Sequence, residues 1–308
     1  MRVLVTGGAG FIGSHVCDAL LERGHEVVAL DDLSSGRRDN LDQRVKLLVA
    51  DIRSAEAAAH VERLKPEVIC HLAAQISVHR SVADPKFDAD CNVVGLLNIL
   101  EASRRAGVRR VVFASTGGAL YGEQDVHPAP ETHPLRPASP YGCAKASGEL
   151  YLNYFWQQYG IAYTALRYAN VYGPRQNPHG EAGVVAIFSE RLLAGQGCDI
   201  NGSGRQTRDF VYVGDVARAN VRAVQGQFSG AVNIGTGIET DILAVYRSLA
   251  QAAGVTAAPR MMPAKPGEQM RSSIDASLAA RVLGWKPTVD VHAGLAATFE
   301  SFKKKLAA

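Results

Sequence analysis

Val3-Leu4-Val5-Thr6-Gly7-Gly8-Ala9-Gly10-Phe11-Ile12-Gly13-Ser14 is the stretch on which the fold turns. A short β-branched run passes through glycines into a segment with helical spacing, Ile12–Glu22. The glycines at Gly7, Gly10 and Gly13 follow the spacing G-x-x-G-x-x-G. Such a loop turns tightly, lets a pyrophosphate approach the backbone and presents a helix N-terminus to it. By itself a glycine-rich loop also fits a plain turn. Its place between the first strand and the first helix favours the phosphate reading.

Working outward, β-branched runs recur at Glu26–Leu30, Val45–Val49, Val68–Cys70, Arg110–Phe113 and Tyr163–Leu166. Between most of them lie stretches with helical periodicity, at Ala55–Leu64, Cys91–Ala106 and Ala144–Tyr159. Gly24 and Gly107 stand where helices should end. Apolar strands separated by helices predict an α/β protein with a doubly wound, Rossmann-type parallel sheet. After Tyr172 the rhythm breaks: Gly173, Pro174, Pro178, Gly180 and Gly183 crowd together, a helix follows near Val184–Leu193, and then a turn at Gly202–Gly204. Strand-like Phe210–Val213 and Ala231–Ile234 come next. The expected organisation is a dinucleotide-binding domain over 1–170, to which the chain returns around 208–236, and a smaller, mainly substrate-binding lobe over 171–308. The cleft between them is the expected site.

A chain of 308 residues with 47% hydrophobic and 20% charged residues reads as an ordinary globular protein. Its net charge of +3 is too small to point to nucleic acid or a membrane surface. The five cysteines are scattered without metal or redox spacing, which predicts free thiols in a reducing cytoplasm. The apolar N-terminal run is too short for a signal peptide or a span. His127, His133 and His179 lack ligand spacing, so no metal is expected.

Asp31 follows the second strand, where a carboxylate meets the adenosine ribose and repels a 2′-phosphate; this favours NAD. Arg37 and Arg38 just downstream read as a solvated loop. Asp51-Ile52 suits the adenine edge, with a helix N-cap as the alternative for Asp51. His71-Leu72-Ala73-Ala74-Gln75 ends the fourth strand with small residues, as close approach to a cofactor requires. Tyr141-Gly142-Cys143-Ala144-Lys145 puts a phenol and an ammonium four apart on one helix face. A phenol with a pKa near ~10 becomes a general base only when neighbouring positive charge favours the phenolate. Ser115 and Thr116, at the end of the fifth strand, offer a hydroxyl beside it; a Ser/Thr turn is the plainer alternative.

Taken together, the chain resembles the extended short-chain dehydrogenase/reductase superfamily, and within it the UDP-glucose 4-epimerase family. The blocks T-G-G-A-G-F-I-G-S, S-T-G-G-A-L-Y-G-E, S-P-Y-G-C-A-K, L-R-Y-A-N-V-Y-G-P-R, R-D-F-V-Y-V-G-D-V and L-G-W-K-P carry the resemblance over essentially the whole length. It implies NAD-dependent interconversion of UDP-glucose and UDP-galactose through a 4-keto sugar. Tyr141 is then the active-site base, and Lys145 its partner and a ligand of the nicotinamide ribose. Thr116 is the hydroxyl residue, with Ser115 as the alternative because S-T-G-G-A-L-Y-G is longer than the usual S-S-A-x-V-Y-G. The implied cofactor contacts are Gly7, Gly10, Phe11, Ile12, Gly13, Asp31, Asp32, Asp51, Ile52, Leu72, Ala73, Ala74, Gln75 and Asn92, with Tyr168 beside the nicotinamide. For the UDP-sugar they are Asn170, Val184, Arg208 on a diphosphate, and Lys265 and Glu268 on phosphate and ribose. Two departures stand out: Lys265 lacks the bidentate fork of arginine, and Asn201 replaces an aromatic residue near the uracil.

The relatives also imply a homodimer through the helices near Cys91–Ala106 and Ala144–Tyr159. A bulky residue after the K-P-G-E block narrows the sugar pocket in the family. Ser272 here is small, which leaves UDP-N-acetylglucosamine and UDP-N-acetylgalactosamine open as a second substrate pair. Rival readings are another nucleotide-sugar epimerase, a 4,6-dehydratase or decarboxylase of the same fold, or a non-catalytic NAD-binding sensor. The dehydratases carry Asp-Glu after the threonine, where this chain has Gly117 and Gly118.

Overall fold

The computed structural model describes residues 1–179, 183–264 and 269–307. The strands of the first half are β1 (Arg2–Thr6), β2 (Glu26–Asp31), β3 (Lys46–Val49), β4 (Val68–His71), β5 (Arg110–Thr116) and β6 (Ala162–Tyr168). The later ones are β7 (Asn170–Tyr172), β8 (Asp199–Asn201), β9 (Thr207–Tyr212), β10 (Gly230–Ile234), β11 (Glu239–Asp241) and β12 (Arg260–Met262). Among the described residues a seven-stranded sheet has the order β10-β6-β5-β4-β1-β2-β3. Every neighbouring pair in it is parallel. Of the two late runs read as strands, β10 joins this sheet, whereas β9 lies between β11 and β7 in a separate three-stranded sheet.

Helices cover both faces, as the unbroken apolar strands require. Those in the first half are α1 (Phe11–Glu22), α2 (Ala55–Leu64), α3 (Val78–Ala83), α4 (Pro85–Ala89), α5 (Gly95–Ala106), α6 (Gly117–Tyr121) and α7 (Pro140–Tyr159). The remainder are α8 (Val184–Leu193), α9 (Val213–Gln225), α10 (Ile242–Ala253), α11 (Ser277–Leu283) and α12 (Val291–Ala307). One core joins β1, β2 and β4 to α1 and α9 through Val3, Val16, Leu20, Val216 and Val224. A second, on the opposite face, joins Leu4, Ile69 and Phe113 to Val61, Leu100 and Phe155 of α2, α5 and α7. A third packs α8, α10 and α12 around Tyr172, Phe188 and Tyr246. None of these helices is long and apolar enough to cross a membrane.

Two departures from the sequence reading matter for the site. The helix expected from Cys91 starts as a π-helical turn over Asp90–Val94 that runs into α5. α7 starts at Pro140, with Ser139 as N-cap accepting from the Gly142 amide at 3.2 Å, so Tyr141 stands in its first turn. The sheet order reverses between β1 and β4, and the crevice beyond their carboxyl ends is where such folds take a ligand.

Candidate active site

At that crevice the β1–α1 turn is built for close backbone approach. Gly7 has φ of +68°, and a Cβ on it would stand 2.7 Å from the Ala73 amide nitrogen at the end of β4. A Cβ on Gly13 would stand 2.0 Å from the Gly7 carbonyl oxygen. The α1 N-cap, Gly10, makes no side-chain cap, and the first turn holds no acidic residue. The amides of Phe11, Ile12 and Gly13 have no helical carbonyl to reach. Side-chain-free amides at a helix N-terminus, with no carboxylate in the turn, fit a dinucleotide pyrophosphate.

The flanking residues shape this cradle more than they reach into it. Asp31, at the end of β2, accepts from the Ala9 and Leu33 amides, both at 2.9 Å, and burial pushes its carboxyl up. Asp32 is exposed and accepts from the Ser34 amide and hydroxyl. Asp51 pairs with Arg53, which also reaches Asp90 at 2.7 Å. The alternative of Asp51 as N-cap is not what forms: Ser54 caps α2, its hydroxyl accepting from the Ala57 amide. Ile52 is buried in the second core, and its carbonyl accepts from Asn98 at 2.6 Å. The backbone of Leu72 and Ala73 lies against Gly7.

Asn92 sits in the π-helical turn and holds the Gln75 backbone at both ends, accepting from its amide and donating to its carbonyl at 2.9 Å each. Asp88 was missed by the sequence reading, although it stands one helical turn before Asn92. It is 1% exposed, and its Oδ1 accepts from Gln75 at 2.8 Å and Asn92 at 3.0 Å. Its Oδ2 finds no partner among the described residues. Burial raises the Asp88 carboxyl, and the Lys145 charge works against that rise.

Lys145 and Tyr141 stand one turn apart on α7. Lys145 is 3% exposed; its Nζ donates to the Ala114 carbonyl at 3.0 Å and lies 5.8 Å from the Tyr141 ring centroid. Burial pulls its ammonium down to about 8, with Asp88 opposing. Burial and the Asp88 charge push the Tyr141 phenol above its ordinary value. Both groups therefore lean toward their neutral forms, and the phenolate needs further positive charge in the site. His71, at the end of β4, is buried and held neutral, its imidazole lowered to about 3 by burial and by Lys145.

The hydroxyls of Ser115 and Thr116 point to opposite faces of β5, as strand alternation dictates. Ser115 is 3% exposed and donates to Glu149 Oε1 at 2.6 Å. Thr116 is half-buried and caps α6, accepting from the Ala119 amide at 3.3 Å. A Cβ on Gly142, next to Tyr141, would stand 2.6 Å from the Ala119 carbonyl. This contact brings the first turn of α7 against the turn that Thr116 caps.

The remaining residues are distributed as follows. Tyr168 pairs in register with Thr116, but its ring lies in the first core and its hydroxyl accepts from Asn220 at 2.8 Å. Asn170 is exposed at the start of β7, Val184 opens α8, and Arg208 lies on β9, which pairs with β7. Asp209, next to Arg208 in the chain, is 2% exposed and accepts from the Thr236, Gly237 and Ile274 amides. Lys265 and Glu268 lie outside the described residues.

A phosphate cradle beside a Tyr-x-x-x-Lys helix at a sheet switch point defines a dinucleotide-dependent enzyme of the short-chain type. The chain belongs to the NAD-dependent epimerase/dehydratase family, whose model matches residues 3–235. It is 50% identical to a UDP-glucose 4-epimerase of Mycolicibacterium smegmatis over 99% of both chains. Its fold matches the UDP-glucose 4-epimerase of Thermotoga maritima solved with UDP-glucose, with a TM-score of 0.97, 47% identity and coverage of 99% and 100%. It also matches the Thermus thermophilus UDP-glucose 4-epimerase solved with NAD, with a TM-score of 0.92, 46% identity and coverage of 98% and 99%.

The buried ammonium yields a stability prediction. Lys145 is charged in both states at pH 7, but its folded-state value is lowered from 10.5 to about 8. Folding thus carries a penalty below pH 8 that is relieved as pH rises toward 10.5, amounting to about 3 kcal/mol before the lost Ala114 bond is counted. In NAD-free protein, Lys145→Met should raise the urea midpoint at pH 7, with the gain shrinking by pH 10. A lowered midpoint at pH 7 would contradict the assignment of a strained ammonium.

Proposed function

We propose that the chain is a UDP-glucose 4-epimerase that interconverts UDP-glucose and UDP-galactose through a 4-keto sugar. The observation that carries this reading is the corner where Lys145, on the Ala114 carbonyl, stands a turn from Tyr141 against the strand end bearing Thr116. Tyr141 takes the proton of the sugar 4-hydroxyl and later returns it. Lys145 supplies positive charge to the phenolate and holds the ribose of the cofactor. Thr116 is the hydroxyl that bonds the sugar oxygen, since Ser115 is engaged by Glu149 in the interior. When bound, NAD supplies the acceptor and donor of the hydride at carbon 4. Its pyrophosphate is held by the Gly7–Gly13 turn, and its adenosine by the Asp31–Asp32 and Asp51–Ile52 ends. Asn170, Val184, Arg208, Lys265 and Glu268 anchor UDP while the flat 4-keto sugar presents its other face.

The first 170 residues, with the returning unit around 208–236, form the NAD half, and 171–308 form mainly the UDP-sugar lobe. Elimination chemistry is disfavoured at this site. A side chain on Gly117 would meet Ile274 at 2.8 Å, and neither Gly117 nor Gly118 can transfer a proton. The sensor reading is disfavoured because the full Thr116, Tyr141 and Lys145 set is retained. The functional unit is a homodimer through α5 and α7, and it works in the cytoplasm. Leu150, Tyr151 and Tyr154 leave an exposed apolar face on α7, with Val94 exposed at the start of the neighbouring helix. The cysteines are free, as reducing surroundings would keep them.

Purified protein given UDP-galactose without added NAD should form UDP-glucose by proton NMR, and Tyr141→Phe should lower the rate at least ~100-fold. No conversion even after NAD is added would overturn the reading. Ser272 is 4% exposed; Ser272→Tyr should suppress turnover of UDP-N-acetylgalactosamine while sparing UDP-galactose, and an equal effect on both would remove it as the selector. Sedimentation should give two chains per particle, and Leu150→Arg with Tyr154→Arg should give one. A single-chain wild type at micromolar concentration would contradict the dimer.

A further inference from the structure

Behind Thr116 lies a continuous set of buried polar contacts that the reaction as described does not use. Tyr141, Lys145 and Glu149 occupy successive turns of one stripe on α7. Glu149 grips Arg167 of β6 with a two-pronged ion pair, Oε1 to Nε at 3.0 Å and Oε2 to Nη2 at 2.6 Å. The same Oε1 takes the Ser115 hydroxyl at 2.6 Å. Arg167 Nη1 donates to the Tyr121 hydroxyl at 2.9 Å, and Tyr121 donates to Asn233 Oδ1 of β10 at 2.7 Å. Asn233 in turn donates to the carbonyls of Ala129 and Asp275 at 3.0 and 3.1 Å.

Two members of this chain bracket α6. Ser115 precedes the Thr116 cap, and Tyr121 is the last residue of the helix. A five-residue helix is too short to hold its own geometry. Its shape is set by what holds its ends, together with the Arg136 amide on the Leu120 carbonyl at 2.9 Å. A buried ion pair is also a weak device for stability, since apolar residues of the same size do as well or better. Here it does something apolar residues cannot: it ties α7, which carries the base, to β6, and through the Ser115 hydroxyl on Glu149 to β5, which carries Thr116, in one fixed register.

We propose that Glu149 and Arg167 are positioning residues for epimerisation, a clamp that holds both ends of α6 and thereby fixes the Thr116 hydroxyl relative to Tyr141. The proposal rests on the reading of Thr116 as the hydroxyl that bonds the sugar. The clamp acts through Ser115 on one side and Tyr121 on the other, and neither needs to touch substrate. Loosening either end leaves the sugar and the cofactor bound but lets the hydroxyl drift. An error of an ångström in such a group costs up to about 100-fold in rate.

The test is a double-mutant cycle on the NAD-loaded enzyme with Ser115→Ala, Thr116→Ala and the pair, reading kcat, KM for UDP-galactose and bound NAD. Ser115→Ala should lower kcat by about 10–100-fold with KM and bound NAD unchanged. In the Thr116→Ala background the same change should alter kcat by less than about twofold. An equal loss in both backgrounds, or no loss in the first, overturns the clamp while leaving Thr116 in place. A Thr116→Ala enzyme with wild-type kcat removes the reading of Thr116 itself, and the clamp with it. Should Ser115→Ala not fold, Tyr121→Phe releases the other end and carries the same expected coupling.

Discussion

α7 packs close against the end of β5 and the α6 turn that follows it. Two glycines permit this seating. A Cβ on Gly148 would come 2.8 Å from the Phe113 ring and 3.1 Å from Leu96, and one on Gly142 would come 2.6 Å from the Ala119 carbonyl. With no side chain in the way at either place, Lys145 reaches the Ala114 carbonyl across the strand end, and its Nζ lies 4.8 Å from the Phe113 ring centroid. Tyr141, one turn earlier, is delivered to the turn that Thr116 caps.

The same closeness sets the electrostatics. Taking an ammonium and a phenol out of water disfavours the charged form of each, so burial pulls the Lys145 ammonium down to about 8 and pushes the Tyr141 phenol up. The protein keeps Lys145 within reach of charge by placing the Asp88 carboxylate nearby. The same carboxylate resists ionisation of Tyr141. Both burial and Asp88 therefore oppose the Tyr141 phenolate, and positive charge nearby would favour it. Asp88 also fixes Gln75 and Asn92, so one buried carboxylate organises the end of β4 as well.

Much of this was legible in the chain itself because it depends on local spacing. Gly7, Gly10 and Gly13 mark the turn, the alternation of strands and helices marks the parallel sheet, and Tyr141 and Lys145 share a face at any i, i+4 interval. The choice between Ser115 and Thr116 was not legible, because it depends on the phase of β5 relative to α7. Strand alternation then sends the two hydroxyls to opposite faces. Asp51 was open as an N-cap because it precedes a helical segment; the chain turns once more and Ser54 takes that place. Tyr168 stands at the right height beside Thr116, yet its phenol is drawn into the core by Asn220. Glu149 and Asp88 escaped notice because each is an ordinary acidic residue on a helix. Their spacing of four from Lys145 and from Asn92 was the only available signal. Their importance lies in burial, which sequence does not display.

The central claim is that carbon 4 is inverted by removing and returning one and the same hydrogen within a closed site. It is tested most directly with UDP-galactose carrying deuterium at carbon 4, converted by the purified enzyme in ordinary water and read by mass spectrometry and NMR. The account predicts UDP-glucose that retains the deuterium at carbon 4. Loss of the label to solvent at the rate of product formation would contradict it, since inversion would then proceed by proton exchange with water.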